Sequence, residues 1–488
     1  MWTMWGWGTG GARALGGRID VRACALGVAV AVSAGLLVAS GPARADPAGV
    51  LQADGRWWRD ASGRVVLLHG VNVVRKVAPY IPSPEEFGPA DADRIASLGW
   101  NTVRLGFIWA GMQPSPGAVD AAYLDRYEEL VNLLGERGIH VLVDSHQDLW
   151  NERWGGEGAP DWAVFRPGGA KRPNWALTYF SQASLGMAYW DFWWNRNGVL
   201  DQYVSMWRQV AERFSGNPYV LGYDILNEPW TSPLWFLPQD RLTVQRMYEM
   251  MIPAIRAVDA QHAIFWEPSI PSSQFFHDRM TFPPDSGLAL SFHVYCAASF
   301  IFGREYWPKD ACRSLDDATL RGARSYSDSV GAGLLVTEFG ASDLVDGIDD
   351  EADIFDRELL GWQYWEWKNW GDPTTHKDAR LVENDTGPIV LRPKVDVLER
   401  TYARRVAGVP LRHSFDSATA TFRLAYAPDP AINSPTEIWL PLERHYPDGY
   451  EVAVEGGTWR ASSGDPHVLF VAAATGALEV RVEITPAD

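Results

Sequence analysis

From Trp57 onward the chain alternates short apolar runs with longer stretches of helical spacing. Eight runs stand out, at residues 65–71, 102–107, 140–144, 220–226, 263–266, 288–294, 334–339 and 363–367. Most are apolar almost throughout, the pattern of parallel strands buried on both faces. Between them, residues 90–98, 122–136, 201–213, 242–258, 316–329 and 353–360 carry apolar side chains at helical spacing. Val395, Leu398, Tyr402 and Val406 predict a last helix that closes the ring. Eight strands, most followed by a helix, predict an α/β fold, a closed (β/α)8 TIM barrel.

The pattern changes around Gly408-Val409-Pro410. Short alternating runs at 421–426, 437–440, 450–454 and 478–484, broken by Pro, Gly and Asp, predict a C-terminal antiparallel β-sandwich domain over residues 408–488. At the other end, Arg13, Arg18 and Arg22 form a basic stretch. An apolar and small-residue run at 23–41 follows it, and then Ala43-Arg44-Ala45. This is the layout of a signal peptide over residues 1–45, with cleavage before Asp46. An uncleaved anchor is the alternative, since the run approaches spanning length. The barrel is then expected over residues 46–407, and the protein is expected to be secreted.

Cys24 leaves with the signal. Cys296 and Cys312 remain, and export takes them to a disulfide-permissive compartment. Paired, they would close a loop of about 15 residues, roughly 3 kcal/mol of stabilisation in the chain-entropy model. Two free buried thiols are the alternative. Neither cysteine has metal-site spacing, so no metal and no cofactor are expected. The net charge of -18 excludes a protein that binds nucleic acid by releasing counterions, and argues against electrostatic attachment to anionic lipid. It leaves apolar insertion open. The 25 Trp residues supply flat apolar surface for a core, for sugar faces or for lipid chains, and composition alone does not choose.

Barrel active sites sit at the C-terminal ends of the strands. The fourth run ends in Asn227-Glu228-Pro229 and the seventh in Thr337-Glu338-Phe339. A carboxylate directly after an apolar strand needs partners or a function, and these two face one another across the barrel mouth. Glycoside cleavage needs such a pair. One carboxyl protonates the leaving oxygen, and the other attacks the anomeric carbon or activates water. A bland alternative gives each a salt bridge or a turn, but the two together fit one reaction. Arg104, inside the second run, is placed to hold Glu338 ionised. His146 and Asp148 follow the third run and offer partners for sugar hydroxyls. His293 and Tyr295 end the sixth run, where the tyrosine hydroxyl can bond the nucleophile. Trp365, on the eighth, offers a face to a pyranose ring. Glu267 and Glu366 are rival carboxylates, ranked lower. Taken singly, each supporting residue is equally readable as a satisfied core residue.

Arg104, His146, Asn227-Glu228-Pro229, His293, Tyr295, Glu338 and Trp365 together resemble glycoside hydrolase family 5, over about residues 57–406. Within that family, His146-Gln147-Asp148 and the appended sandwich resemble the endoglycoceramidases, which cut the β-bond between glycan and ceramide. The resemblance implies retention, with Glu228 as acid/base and Glu338 as nucleophile, and Asn227, His293 and Tyr295 beside them. It implies Asp148 on the sugar next to the bond and Lys76 on more distal hydroxyls. It implies a glycosphingolipid substrate, and transient contact with a membrane surface is compatible with it. A monomer is expected.

The long segment after the third run, residues 149–200, agrees with a lipid aglycone. It carries Trp150, Trp154, Trp162, Phe165, Trp175, Phe180, Trp190, Phe192, Trp193 and Trp194. Trp230, Trp235 and Phe236 follow the fourth run, and Phe300, Ile301 and Phe302 the sixth. Exposed apolar surface of that extent marks binding sites. The same aromatics would also serve by packing under their own loops, or by stacking on a longer glycan. A polysaccharide endo-β-glycanase and a non-catalytic glycolipid-binding barrel are therefore the rival readings.

Overall fold

A computed structural model describes residues 17–19 and 49–487, apart from 172–173, 232–233, 235–236, 274–275, 277, 283–284, 286 and 297–307. Eight parallel strands close into a barrel: His69–Val74, Thr102–Ile108, His140–His146, Val220–Asp224, Ala263–Trp266, Leu288–Val294, Gly333–Phe339 and Trp362–Tyr364. Every residue of these strands is buried, which explains why they read as continuous apolar runs rather than as alternation. Helices Pro89–Ser97, Ala121–Gly135, Val199–Phe214, Val244–Arg256, Lys309–Val330 and Val345–Glu358 surround the barrel. Their apolar stripes enter one large core with the outer faces of the strands.

Two expectations are corrected. The first run is two strands rather than one. Val65–Val66 pairs antiparallel with Trp57–Arg59 and Tyr402–Val406, and only His69–Val74 enters the barrel. The last helix spans only Val395–Leu398, after which Tyr402–Val406 is a strand. Period alone did not separate them, since Tyr402 and Val406 meet both a helical and an extended pattern.

Beyond the barrel lie two antiparallel sheets. One runs, in spatial order, Gly457–Ala461, Val468–Ala473, Thr436–Trp439, Tyr402–Val406, Val65–Val66, Trp57–Arg59 and Gln52–Asp54. The other runs Tyr450–Glu455, Val480–Pro486, Thr421–Pro428 and Gly408–Asp416, with Gly17–Ile19 paired to Tyr450–Val452 at its edge. Side chains such as Phe422, Leu424, Ile438, Leu469 and Val482 fill the space between the sheets, as in a sandwich. The first sheet takes strands from both sides of residue 408, so a division there cuts through it. The expected strand at 478–484 begins at Val480, and Leu478 is exposed.

Candidate active site

Arg104 lies on the second barrel strand with its guanidinium fully enclosed. Its Nε donates to Asp224 Oδ2 at 3.0 Å and its Nη1 to Glu338 Oε1 at 2.5 Å. Nη2 reaches Asp144 Oδ1 at 3.1 Å, Asn227 Oδ1 at 2.9 Å and Glu267 Oε1 at 3.0 Å. Burial pushes this guanidinium down, but the carboxylates outweigh it and hold Arg104 well above its usual value. One cation thus ties together the ends of strands two, three, four, five and seven. The sequence placed Glu338 beside Arg104, and the structure does the same. The other three acids were missed as partners because they come from strands far apart in the chain.

Glu338 is held on both oxygens, since Tyr295 donates to Oε2 at 2.9 Å. Gly340 follows at φ +85°, where a side chain would also strike the Tyr364 ring; only glycine takes this turn without strain. Glu228 itself sits at φ +42°, costly for a residue with a Cβ. Its amide is fixed there by Glu267 Oε2 at 2.8 Å. Glu267, the stronger rival carboxylate, is therefore a brace under Glu228 and Arg104. Glu366, the other rival, is buried and accepts from Asn369.

His293 Nδ1 lies 2.8 Å from Glu228 Oε1 and 3.5 Å from Glu338 Oε2. Single carboxylate oxygens of Glu228 and Glu338 and one ring nitrogen of His293 all lie within 4.8 Å of one another. Burial pushes His293 down, yet Glu338, Glu267 and the bond to Glu228 raise it well above its usual value. Burial pushes Glu228 up, and the His293 bond and charge pull it below the ordinary range. Burial raises Glu338, against the pull of His293 and Arg104. The opposite shifts at His293 and Glu228 share one cause, the 2.8 Å contact between them. Groups this close titrate together.

Lys76, His146, Asp148, Asn227, Glu228, Tyr295, Glu338 and Trp365 line one cavity of ≈ 430 Å³. His293 and Arg104 stand behind its wall. At the polar end, Lys76 Nζ donates to Asp148 Oδ2 at 2.6 Å and Thr374 Oγ1 at 3.1 Å, and lies 3.2 Å from Asp372 Oδ2. It also lies 4.3 Å above the Trp365 ring. That ring also donates from Nε1 to Thr375 Oγ1 at 3.1 Å and stacks at 4.9 Å on His146, whose Nδ1 meets Asp144 at 2.8 Å. Burial raises Asp148 to about 6, against the lysine's pull. Thr374, Thr375 and Asp372 were not anticipated; a Gly-Asp-Pro turn gives no sign of a ligand.

The same lining includes an apolar set, Trp175, Leu177, Tyr179, Phe180, Trp230 and Ile270. Of the aromatics singled out after the third strand, Trp150, Trp154, Phe192 and Trp193 are buried beneath their own loop. Phe180 and Trp194 are exposed. Trp235, Phe236, Phe300, Ile301 and Phe302 lie outside the described residues. Cys296, directly after Tyr295, is disulfide-bonded to Cys312 at the start of helix Lys309–Val330.

The family model described as cellulase (glycosyl hydrolase family 5) matches residues 60–371, and that of the glycoside hydrolase family 5 C-terminal domain matches residues 400–485. The chain is 33% identical over 456 residues to endoglycoceramidase I of Rhodococcus hoagii, covering 90% of this chain and 89% of that one. It is 28% identical to the solved structure of endo-glycoceramidase II from a Rhodococcus species in complex with ganglioside GM3, with a TM-score of 0.74 over 88% of this chain and 99% of the other. The structure of that enzyme's lactosyl-enzyme intermediate is likewise 28% identical, with a TM-score of 0.72 over 88% and 100%. With both domains matched and the carboxylates in place at the barrel mouth, the chain belongs to glycoside hydrolase family 5.

Proposed function

We propose that this protein is a secreted, retaining endo-β-glycosidase that cleaves glycosphingolipids between glycan and ceramide and releases both intact. The observation that carries the reading is one pocket lined by a polar cluster, an apolar cluster and a close carboxylate pair. Retaining enzymes hold the two carboxyls about 5–5.5 Å apart, while inverting ones leave about 6.5–9.5 Å for a water. Oxygens of Glu228 and Glu338 approach within 4.8 Å, which favours retention. The solved lactosyl-enzyme intermediate of a relative supports the same route.

In this mechanism Glu338 attacks the anomeric carbon while Glu228 gives its proton to the ceramide oxygen. Arg104 and Tyr295 fix the plane of the attacking carboxylate. The proton that Glu228 donates is the one it shares with His293. Water then cleaves the glycosyl ester, with Glu228 taking the water's proton. Lys76, Asp148 and Thr374 meet sugar hydroxyls, His146 and Trp365 wall that end, and the Trp175–Trp230 side receives ceramide. Residues 1–45 act as the export signal, and Cys296–Cys312 is compatible with that destination. Among the described residues no helix is long and apolar enough to cross a membrane.

The test is product analysis by mass spectrometry on three substrates: a detergent-dispersed ganglioside, a galactose-linked glycosphingolipid and a soluble β-glucan. Intact oligosaccharide with free ceramide is the expected result. Glucan oligomers with both lipids untouched would overturn the lipid reading while leaving the carboxylate pair in place.

A further inference from the structure

A second, much smaller cavity also touches Glu228. It offers ≈ 10 Å³ and is lined by Glu228, Glu267, Ile270, Ser273, Ser291 and His293 among others. Glu228 and Ile270 line the large pocket as well. Room for about one water and two to four polar partners is what a buried water needs. The partners are here. His293 Nε2 is buried and makes no well-directed hydrogen bond, its facing group being the Glu267 carboxylate, with Oε1 at 3.4 Å. Glu228 and Glu267 add carboxylate oxygens to the wall, while Ser291 Oγ is already engaged by Asp224 Oδ2 at 2.9 Å, Glu267 Oε1 at 3.1 Å and Thr337 Oγ1 at 2.7 Å. Ile270 and Ser273 are half-buried, so the cavity lies near solvent on their side.

We propose that this cavity is the water site for the second half of the reaction, and the inference rests on the double-displacement reading above. In that step the water oxygen bonds the anomeric carbon, the bond from that carbon to Glu338 breaks, and the water's proton passes to Glu228. Water must arrive on the face the ceramide oxygen has just left. A two-chain lipid in the apolar end obstructs that approach through the main pocket. A polar cavity beside Glu228, with the half-buried Ser273 in its wall, lets water reach the acid/base before the lipid has departed. His293 then has two duties: Nδ1 shares the proton of Glu228, and Nε2 holds the incoming water.

The experiment narrows the cavity with Ser273→Leu. The enzyme is assayed on an activated lipid glycoside, a good leaving group carrying two long alkyl chains that fill the apolar end, whose kcat reports deglycosylation and whose kcat/KM reports glycosylation. The expected result is a kcat lowered about tenfold at unchanged kcat/KM, with glycosyl-enzyme accumulating in the intact-protein mass spectrum. Unchanged kcat, or equal losses in both parameters, would overturn the proposal. Should Ser273→Leu fail to fold, Ser273→Ala gives the converse test. With a bulky alcohol acceptor, too large for the cavity, partition should shift towards hydrolysis; an unchanged ratio overturns the proposal. A wild-type enzyme that forms no adduct with a 2-deoxy-2-fluoro glycoside would instead sink the double-displacement reading itself.

Discussion

Arg104 has its guanidinium among Asp144, Asp224, Glu267 and Glu338, all of them buried. Removing one partner of a buried ion pair leaves charge without compensation, at about 3–5 kcal/mol. Arg104→Met is expected to lower the unfolding free energy by about that amount in urea titration, and to abolish activity even where the fold survives. Arg104→Lys should fall between, since an ammonium cannot reproduce the fork that serves strands four and seven together. For Glu228→Gln the expected loss on glycolipid is about 10²- to 10⁴-fold, the usual worth of general acid–base catalysis. A dinitrophenyl glycoside leaves without protonation, so its first step should stay fast and show as a burst. A variant that shows no burst would count against the role given to Glu228.

At the scale of elements, the helix Ala176–Ser181 carries the apolar rim. Leu177 is 57% exposed and Phe180 50%, and Phe180 meets Trp230 edge to face at 5.2 Å. A side chain of this size gains about 1.5–3 kcal/mol on full burial. These two are partly covered already, so their joint contribution to lipid binding is set near the lower end. Leu177→Asp with Phe180→Asp is expected to raise KM for detergent-dispersed glycolipid about tenfold, which is 1.4 kcal/mol. Turnover of a soluble aryl glycoside should not move. Equal losses on both substrates would mean that the helix shapes the catalytic end rather than receiving ceramide. The aromatics of residues 149–200 were visible in the sequence, but their division into core and rim was not. Phe180 lies on one short helix and Trp190, Phe192 and Trp193 on a second, Ala183–Trp193, so no single period runs through the segment and burial is decided by what packs over it.

On the scale of the whole molecule, the barrel and the sheets beyond it meet at His69. The imidazole stacks between Trp362 at 4.4 Å and Tyr402 at 3.9 Å, with Asp356 Oδ1 3.7 Å from Nε2. Burial pushes His69 down to about 3. The native state therefore refuses a proton that the unfolded chain takes up near pH 6.5. That contribution is whole above pH 6.5 and is lost as pH falls towards 3, about 2 kcal/mol of it between pH 7 and pH 5. Burial raises Asp148, Asp240 and Asp316 to about 6, 6 and 7, which works in the opposite sense. The check is accordingly a difference. Relative to wild type, His69→Gln should remove about 2 kcal/mol of acid sensitivity between pH 7 and pH 5 in chemical unfolding. An unchanged difference would mean that the imidazole is already charged in the native seam.

Much of the barrel was legible because strands buried on both faces must be apolar throughout and helices must be striped, and both demands are written locally. Glu228 and Glu338 were legible for a related reason: a carboxylate at the end of an apolar strand is conspicuous wherever the chain is read. The seam was not. Val65–Val66 and Tyr402–Val406 pair across more than three hundred residues, and no local pattern announces a partner that distant. Nor did the sequence contain the four-acid shell of Arg104, the brace that Glu267 puts under Glu228, or the threonine behind Lys76. Apolar periodicity is a property of neighbours in the chain, and it determined the elements and their order. Charge compensation and pocket shape are properties of neighbours in space, and these only the closed barrel could decide.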